Sequence, residues 1–294
     1  MTEARLATPR SRALALDRRF VGVLVGRGLL YVAGVALVVI FCVPLFWTLS
    51  GSFKTIDQIY LLPPVWWPRV MAWQNYARVW QVSPYWLFYQ NTIIVSLSSA
   101  LAQITSASLV AYGFARFRFP GRAFLFMLVL STLMLPPELT MVPQFLLFKQ
   151  LSWLDTWLPL IVPNFFGGPF MTFLLRQFFL SIPLELDDAA RIDGCSSFGI
   201  YWRIILPLAK PALMAVTVFT FNNTWNEFLA PLIYLSSKQN LTIALGLRMF
   251  QSEHGPEWHL VMAASLVTML PILLVFFLGQ RYFIQGIVFT GVKG

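Results

Sequence analysis

The decisive stretch of this sequence is residues 181–210, which read SIPLELDDAARIDGCSSFGIYWRIILPLAK. This polar stretch lies between two long apolar runs, at 157–180 and 208–234. A plain connector between two packed helices needs only a few residues. The length and pattern of residues 181–210 therefore predict a structured hairpin, attached on both sides to helices of a membrane domain.

Acidic side chains mark the beginning of this hairpin. Glu185, Asp187 and Asp188 fall in the first turn of a predicted helix, where negative charge complements the helix dipole. Asp187 and Arg191 are separated by one helical turn, so we expect them to form an ion pair on one helix face.

Glycine and proline mark the rest of the hairpin. Gly194 is expected to end the first helix, and a second helix is expected from Ser197 until Pro207 ends it. The small side chains of Ala189 and Ala190 beside acidic residues suit a helix that lies closely in a groove of another protein. We therefore expect the first helix to be a contact surface.

The composition of the chain excludes several classes of protein. Of 294 residues, 58% are hydrophobic and 11% are charged, and the mean hydropathy is +0.70. These values are too apolar for an ordinary soluble domain, and 27 Phe, 11 Trp and 9 Tyr exclude a disordered chain. A net charge of +9 would suggest nucleic acid as a partner of a soluble protein. Here it reflects membrane topology, and the sequence predicts an all-α polytopic membrane protein with no nucleic-acid partner.

About six transmembrane helices are predicted, since each needs roughly 20 apolar residues. The hairpin at 181–210 connects the fourth and fifth helices. The chain divides into a basic N-terminal arm at 1–28, a transmembrane domain at 29–283 and a C-terminal tail at 284–294. The predicted helices occupy residues 29–48, 88–114, 123–148 with a break at Pro136-Pro137, 157–180, 208–234 and 259–283.

The distribution of Lys and Arg orients these helices. With the N-terminus inside, the outer segments hold only Lys54, Arg69, Arg78, Lys149, Lys238 and Arg248. The larger number falls in the inner segments, so the positive-inside rule predicts a cytoplasmic N-terminus, C-terminus and hairpin.

The hairpin closely resembles the EAA loop of ATP-binding-cassette importer permeases. The resemblance consists of Asp188-Ala189-Ala190, then Gly194, then 204–207, which reads IILP. The single departure is Asp188, where the family most often has Glu. This change keeps the negative charge and shortens the side chain by one methylene group.

In that family the EAA loop is a coupling helix that docks in a cleft of a cytoplasmic ATPase subunit. The resemblance implies that ATP and Mg are bound by partner ATPase subunits, and that this chain is not an enzyme and holds no cofactor or metal. The residues to which the resemblance assigns ATPase coupling are Glu185, Leu186, Asp187, Asp188, Ala189, Ala190, Arg191, Ile192, Asp193, Gly194, Ile204, Leu206 and Pro207.

Other segments resemble the carbohydrate-uptake branch of these importers, specifically the smaller permease of the maltose-type system. They include 51–55, Asn75-Tyr76 and the C-terminal 280–294. The resemblance implies a second homologous permease, two ATPase subunits and an extracytoplasmic solute-binding protein, which the outer loops at 51–87 and 235–258 would meet. It also implies a bacterial or archaeal cytoplasmic (inner) membrane, with lipid contacts. The tail residues expected to contact the ATPases are Gly291, Val292, Lys293 and Gly294.

Polar residues inside membrane helices tend to face a cavity or a neighbouring helix, because they are costly in lipid. Amides, carboxylates and indoles can bind sugars, and hydrogen bonding to the second permease is an equally good interpretation of the same residues. The substrate-path candidates are Gln103, Thr220, Asn222, Asn223, Trp225, Asn226 and Glu227.

Two substrate classes and two other kinds of protein remain as alternatives. A permease of this type could take glycerol phosphate or a polyol instead of a sugar or oligosaccharide. A membrane enzyme is disfavoured, because His254 and His259 do not form H-E-x-x-H and no partnered nucleophile is visible. The chain lacks G-x-x-x-x-G-K-[ST], so any ATP chemistry belongs to a partner. A secondary transporter without an ATPase is the rival that composition allows.

Overall fold

The fold comes from a computed structural model, which describes residues 9–252 and 255–288, with side chains for 26–250 and 257–280. The chain forms two compact units, residues 1–72 and 73–294. Each unit is described by itself.

The first unit is dominated by one long helix. Helix α1 spans Pro9–Ser52, so it begins within the arm predicted at 1–28 and extends past the predicted end at 48. Its apolar part, Gly26–Ser52, is long enough to cross a membrane. A short helix, α2 (Ile56–Ile59), follows.

Lys54 organises the segment after α1. Its side chain is buried, its ammonium group donates a hydrogen bond to the carbonyl of Val65, and its Nζ lies 4.2 Å from the centroid of the Trp47 ring. Burial lowers the pKa of Lys54. The hydroxyl of Ser50 donates to the carbonyl of Trp66, so the end of α1 and the proline-rich segment after it are held together.

The second unit is also helical. A minimal antiparallel pairing of Gln251–Ser252 (β1) with Gly255–Pro256 (β2) precedes its last helix. Its helices are α3 (Gln74–Val82), α4 (Tyr85–Arg116), α5 (Arg122–Ser131), α6 (Pro137–Gln150), α7 (Leu158–Ile161), α8 (Pro169–Ser181), α9 (Glu185–Ile192), α10 (Ser197–Ile200), α11 (Leu206–Leu208), α12 (Lys210–Asn226), α13 (Leu229–Tyr234), α14 (Ile243–Arg248) and α15 (Trp258–Val288).

Among the described residues, four helical segments are long and apolar enough to cross a membrane, and six if each of two bent pairs counts as one span. This count confirms the predicted helical membrane fold. The first bent pair, Arg122–Met134 with Pro137–Gln150, turns by 97° at the predicted break, because Pro136 and Pro137 interrupt the helix. The second, Ser197–Leu208 with Lys210–Asn226, turns by 77° at the junction with the hairpin.

The predicted fifth helix at 208–234 is divided in the structure. Helix α12 ends at Asn226, and the backbone of Glu227 is extended. The Glu227 carboxylate then accepts hydrogen bonds from the N–H groups of Leu229 and Ala230, at 2.9 and 3.2 Å. It thus satisfies two donors at the start of α13 that have no partner within that helix.

Helix α4 is central to two hydrophobic clusters. Toward its C-terminal end, a row of alanines (Ala107, Ala111 and Ala115) packs with α8, α12 and the 181–210 hairpin. Toward its N-terminal end, Tyr85 and Phe88 pack with side chains from α12, α14 and α15. Small residues on one face let neighbouring helices approach closely. One rigid helix therefore reaches both the hairpin and the opposite end of the unit.

Candidate functional site

The hairpin packs against the C-terminal end of α4. Ala190, Ile200 and Ile205 belong to the alanine-lined cluster, and Ile200 and Ile205 are fully buried. Between α10 and α11 the chain forms one turn of π-helix, Tyr201–Ile205. The structure confirms two short helical segments, with the second divided by this turn.

A buried ion pair ties the first helix of the hairpin to α4. Arg116 Nε lies 3.3 Å from Asp187 Oδ2, and both side chains are almost completely buried. Arg116 Nη2 also donates a hydrogen bond to the carbonyl of Ile182 at 3.0 Å. Asp187 is therefore a structural anchor between α9 and the last residue of α4.

The predicted pairing of Asp187 with Arg191 is wrong. Arg191 Nη1 instead lies 3.3 Å from Asp188 Oδ1, one residue further along the chain, and both side chains are exposed. Asp187 faces the core and Arg191 faces away from it. Arg116, which is distant in sequence, is the ion-pair partner of Asp187 in place of the predicted Arg191.

Two tyrosines hold the second half of the hairpin to α4. Tyr112 donates a hydrogen bond to the carbonyl of Ser197 at 2.9 Å, and the hydroxyls of Tyr201 and Ser108 are 2.7 Å apart. The Ser196 hydroxyl accepts from the Gly199 N–H at 3.2 Å and caps α10. Both parts of the hairpin are thus bonded to the same helix.

Gly194 ends α9 as predicted. Its φ is +79°, a left-handed conformation that glycine adopts without strain. Its N–H donates to the carbonyl of Arg191 at 3.0 Å, and the N–H of Cys195 donates to that of Ala190 at 2.8 Å. This is the hydrogen-bond pattern of a Schellman motif, which fixes the direction of the chain after α9.

The outer face of the hairpin is exposed and partly apolar. Ile192 is 87% exposed, and Phe198 and Trp202 are exposed and stacked, with ring centroids 6.5 Å apart. We call this surface the coupling face, after the role that the resemblance implies for it. It also includes the exposed residues Leu184, Glu185, Leu186, Asp188, Ala189, Arg191, Asp193 and Gly194. Among the other predicted residues, Pro207 is exposed, whereas Ile204 and Leu206 are half-buried. The predicted tail residues Gly291, Val292, Lys293 and Gly294 lie outside the described residues.

Polar residues near the end of α12 line a cavity of about 250 Å³. We call it the outer cavity, after the side of the membrane that the predicted orientation gives to this end of α12. Asn223 and Glu227 are the predicted substrate-path residues that the structure brings together here. The other lining residues are Val95, Leu160, Asn164, Thr224, Ala230, Pro231 and Thr242.

The remaining predicted path residues lie elsewhere. Trp225 is buried, and its indole N–H donates to the carbonyl of Thr268 at 3.1 Å. Gln103 and Thr220 are buried, and neither Gln103 Nε2 nor Thr220 Oγ1 has a hydrogen-bond partner among the described residues. Asn222 lines a second cavity, of about 480 Å³, between α12 and α15.

Asn226 bonds within its own helix and does not line the outer cavity. Its side-chain amide donates to the carbonyl of Asn222 at 2.8 Å. Asn164 and Thr242 line the outer cavity and were absent from the sequence-based candidates, because each lies on a separate segment far from α12 in sequence. No spacing signal connects them to Asn223 or Glu227.

A carboxylate joins two loops of the second unit. Asp155 accepts hydrogen bonds from the N–H groups of Ser236 and Ser237, at 3.0 and 2.8 Å, and from the Ser237 hydroxyl. These bonds, with that of the Ser237 hydroxyl the largest effect, hold the pKa of Asp155 well below its usual range. Asn240 Nδ2 also donates to the carbonyl of Asp155 at 2.6 Å, so loop 151–157 and loop 235–242 are linked.

In the part of the chain that the structure describes, no three His, Cys, Asp or Glu side chains are grouped as metal ligands. The residues of the coupling face and of the outer cavity offer hydrogen bonding, charge and apolar contact. The coupling face is suited to another protein, and the outer cavity to a small polar molecule.

Proteins of similar sequence match most of the length of this chain. Residues 103–288 match the family described as binding-protein-dependent transport system inner membrane component. The chain is 36% identical over 261 residues to the arabinooligosaccharides transport system permease protein AraQ of Bacillus subtilis (strain 168), covering 88% of this chain and 92% of that protein. It is 34% identical over 268 residues to the sn-glycerol-3-phosphate transport system permease protein UgpE of Yersinia pestis, covering 88% and 94%.

Solved structures share the fold. A chain from the crystal structure of a bacterial ABC transporter involved in import of the acidic polysaccharide alginate superimposes with a TM-score of 0.76 at 22% identity, covering 95% of this chain and 100% of that one. A chain from the alginate transporter in complex with its pentasaccharide-bound periplasmic protein gives 0.65 at 15% identity, covering 87% and 94%. The resemblance inferred from the hairpin is confirmed. The chain belongs to the family of binding-protein-dependent transport system inner membrane components.

Proposed function

We propose that this chain is one of two permease subunits of an ATP-binding-cassette importer in a bacterial or archaeal inner membrane. It receives a sugar or oligosaccharide from an extracytoplasmic binding protein and passes it to the cytoplasm. Support comes from the family match, and from relatives whose names describe arabinooligosaccharide and sn-glycerol-3-phosphate transport.

The observation that carries the proposal is the anchored hairpin with its exposed coupling face. Leu186, Ile192 and Phe198 are exposed apolar side chains, although the same hairpin buries Asp187 and Ile205. Apolar side chains on a well-fixed surface favour contact with another protein. The partner proposed for this surface is a cytoplasmic ATPase subunit.

Helix α4 gives this contact a mechanical route to the substrate. Arg116 at its C-terminus holds the hairpin, and Val95 on the same helix lines the outer cavity. Their separation of 21 positions along α4 corresponds to roughly 31 Å of α-helix. A displacement of the hairpin by the ATPase therefore moves one wall of the cavity through a single rigid element.

ATP hydrolysis belongs to two partner ATPase subunits in this proposal, since the sequence has no P-loop. ATP and Mg are bound there. Residues 291–294 are proposed as a second contact with the ATPases. The two outer loops joined by Asp155 lie on the side proposed for the binding protein.

The test is ATP hydrolysis by the detergent-purified assembly captured through this chain. We expect an ATPase to co-purify, and its activity to rise with one sugar-loaded binding protein. Gly194→Trp is the control, because it places a large side chain on the coupling face at a position that requires positive φ. Normal stimulation of the Gly194→Trp assembly would refute the coupling role.

The specific substrate class is decided by the same assay. Stimulation by a binding protein loaded with glycerol phosphate, and by none loaded with a sugar, would replace the carbohydrate assignment. If no ATPase co-purifies under conditions that keep membrane complexes intact, the importer proposal fails and a secondary transporter takes its place.

A further inference from the structure

One polar group beside the outer cavity is buried and lacks a hydrogen-bond partner among the described residues. Thr242 is 2% exposed, and its hydroxyl oxygen is buried without a partner. Leaving a buried hydroxyl unpaired costs stability, so an orphan group beside a cavity points to a ligand that completes its hydrogen bond. Asn164 donates its amide to the carbonyl of Leu160 at 2.9 Å, which leaves its side-chain oxygen available to the cavity.

The cavity has one charged side chain, that of Glu227, and its lining includes neither Lys nor Arg. One oxygen of the Glu227 carboxylate is held by the N–H groups of Leu229 and Ala230. This contact fixes the carboxylate at the cavity wall and leaves its other oxygen to accept hydrogen bonds. Hydroxyl groups are suitable donors to it, whereas a phosphate or uronate group would meet a like charge.

The volume and the position of the cavity further restrict the kind of ligand that it can bind. About 250 Å³ is below the roughly 300–1,000 Å³ of sites that enclose a drug-sized molecule, so the cavity admits one end of an oligosaccharide. Helix α12 begins at Lys210 beside the hairpin and extends 17 residues, or about 25 Å, before Asn226. Asn223 and Glu227 therefore lie far from the coupling face, at the end where a binding protein would deliver sugar.

We infer that the outer cavity binds the terminal unit of a neutral oligosaccharide, with Asn164, Asn223 and Thr242 contacting its hydroxyls and Glu227 excluding anionic substrates. This inference rests on the proposed function and names its substrate class. It assigns direct substrate contact to this permease subunit. It also implies that a single carboxylate, that of Glu227, makes this chain select against phosphorylated or acidic sugars.

The test of occupancy is protection of an introduced cysteine in the purified assembly. Thr224→Cys, at a residue that lines the cavity without being one of the proposed contacts, is made with Cys42 and Cys195 replaced by Ser. Its labelling by a maleimide is followed while neutral trisaccharides of pentose and hexose units are added. We expect at least one to slow labelling about fivefold or more. The matched control is Asn222→Cys, which lies two residues before it on α12, lines the other cavity and should label at an unchanged rate.

The test of charge selectivity compares neutral trisaccharides with trigalacturonate and sn-glycerol 3-phosphate as protecting agents. We expect the anions to need at least about tenfold higher concentrations, because they meet the Glu227 carboxylate. Glu227→Gln keeps an oxygen to accept from Leu229 and Ala230 but removes the charge. In that variant the ratio of anionic to neutral half-protecting concentrations should fall to less than about threefold.

Failure of this inference is distinguishable from failure of the proposed function. If the loaded binding protein stimulates ATP hydrolysis but no neutral trisaccharide protects Thr224→Cys, the substrate contact is refuted and the importer stands. Equal protection at Asn222→Cys also refutes it. An unchanged concentration ratio in Glu227→Gln refutes the role of the charge. Protection at Thr224→Cys without a co-purifying ATPase supports the cavity and refutes the importer.

Discussion

Removing the Asp187 carboxylate is expected to loosen the coupling hairpin, whereas removing that of Asp188 is not. The two residues are adjacent on α9, but Asp187 is buried against Arg116 and Asp188 pairs with Arg191 in solvent. Asp187→Ala and Asp188→Ala therefore form a matched pair of variants, with the same chemical change in two environments.

The structure gives the size of the difference. At 3.3 Å and an effective dielectric constant of about 20, the attraction between Arg116 and Asp187 is roughly 5 kcal/mol. Loss of one partner leaves a buried charge, which costs about 3–5 kcal/mol. In the exposed pair, the side chains of Arg191 and Asp188 are 50% and 69% accessible, and such pairs contribute about 0.5 kcal/mol or less.

The assay is hydrogen exchange of the backbone amides of residues 185–195 in the purified assembly. A loss of 3 kcal/mol raises the local opening equilibrium by about a hundredfold or more, so these amides should exchange correspondingly faster in Asp187→Ala. Asp188→Ala should change their rates by less than about threefold.

A double variant separates the ion pair from general damage. Arg116→Met with Asp187→Leu removes both charges and fills the space with apolar groups, a replacement that is often neutral or stabilising. We expect it to regain most of the protection lost in Asp187→Ala. If Asp187→Ala and Asp188→Ala behave alike, or if the double variant exchanges as fast as Asp187→Ala, the anchoring role of this pair is refuted.

Three further predictions concern backbone conformation, packing and pH. Gly194→Ala should lower stability by about 1–2 kcal/mol in thermal unfolding, and Gly194→Asn by less, because φ is +79° but no atom lies within 4 Å of an added Cβ. Gly199→Ala should destabilise the hairpin, because its Cβ would lie 2.6 Å from the sulfur of Cys195, and adding Cys195→Ala should restore it. Since the pKa of Asp155 is lowered on folding, its contribution is fully present above the unfolded value of about 3.9 and is lost as pH falls below it. Wild-type thermal stability should therefore decline more steeply than that of Asp155→Asn between about pH 5 and pH 3.

The local features of this fold could be predicted from sequence because they depend on neighbouring residues. Apolar runs predicted the positions of the membrane helices, and the Pro136-Pro137 pair predicted the break in the third membrane helix. Gly194 gave the end of α9, since a positive φ at the end of a helix favours glycine. The break after Asn226 was not predicted, because the pattern of apolar residues does not reveal the extended backbone at Glu227 or its capping contacts.

Contacts between distant segments were not predictable in this way. Helical spacing offered Arg191 as the partner of Asp187, and nothing in the spacing indicated Arg116. The lining of the outer cavity was not predictable for the same reason. Asn223 could be found because it is a polar residue inside a predicted membrane helix. Asn164 and Thr242 come from other segments, which only the packed structure brings to the same wall.

The most direct test of the central claim is uptake of a labelled neutral trisaccharide into proteoliposomes that contain the purified assembly and its binding protein. We predict accumulation that requires ATP on the side of the coupling face and that is abolished by Gly194→Trp at equal protein content. Accumulation driven by an ion gradient without ATP, or unimpaired uptake by the Gly194→Trp assembly, would contradict it.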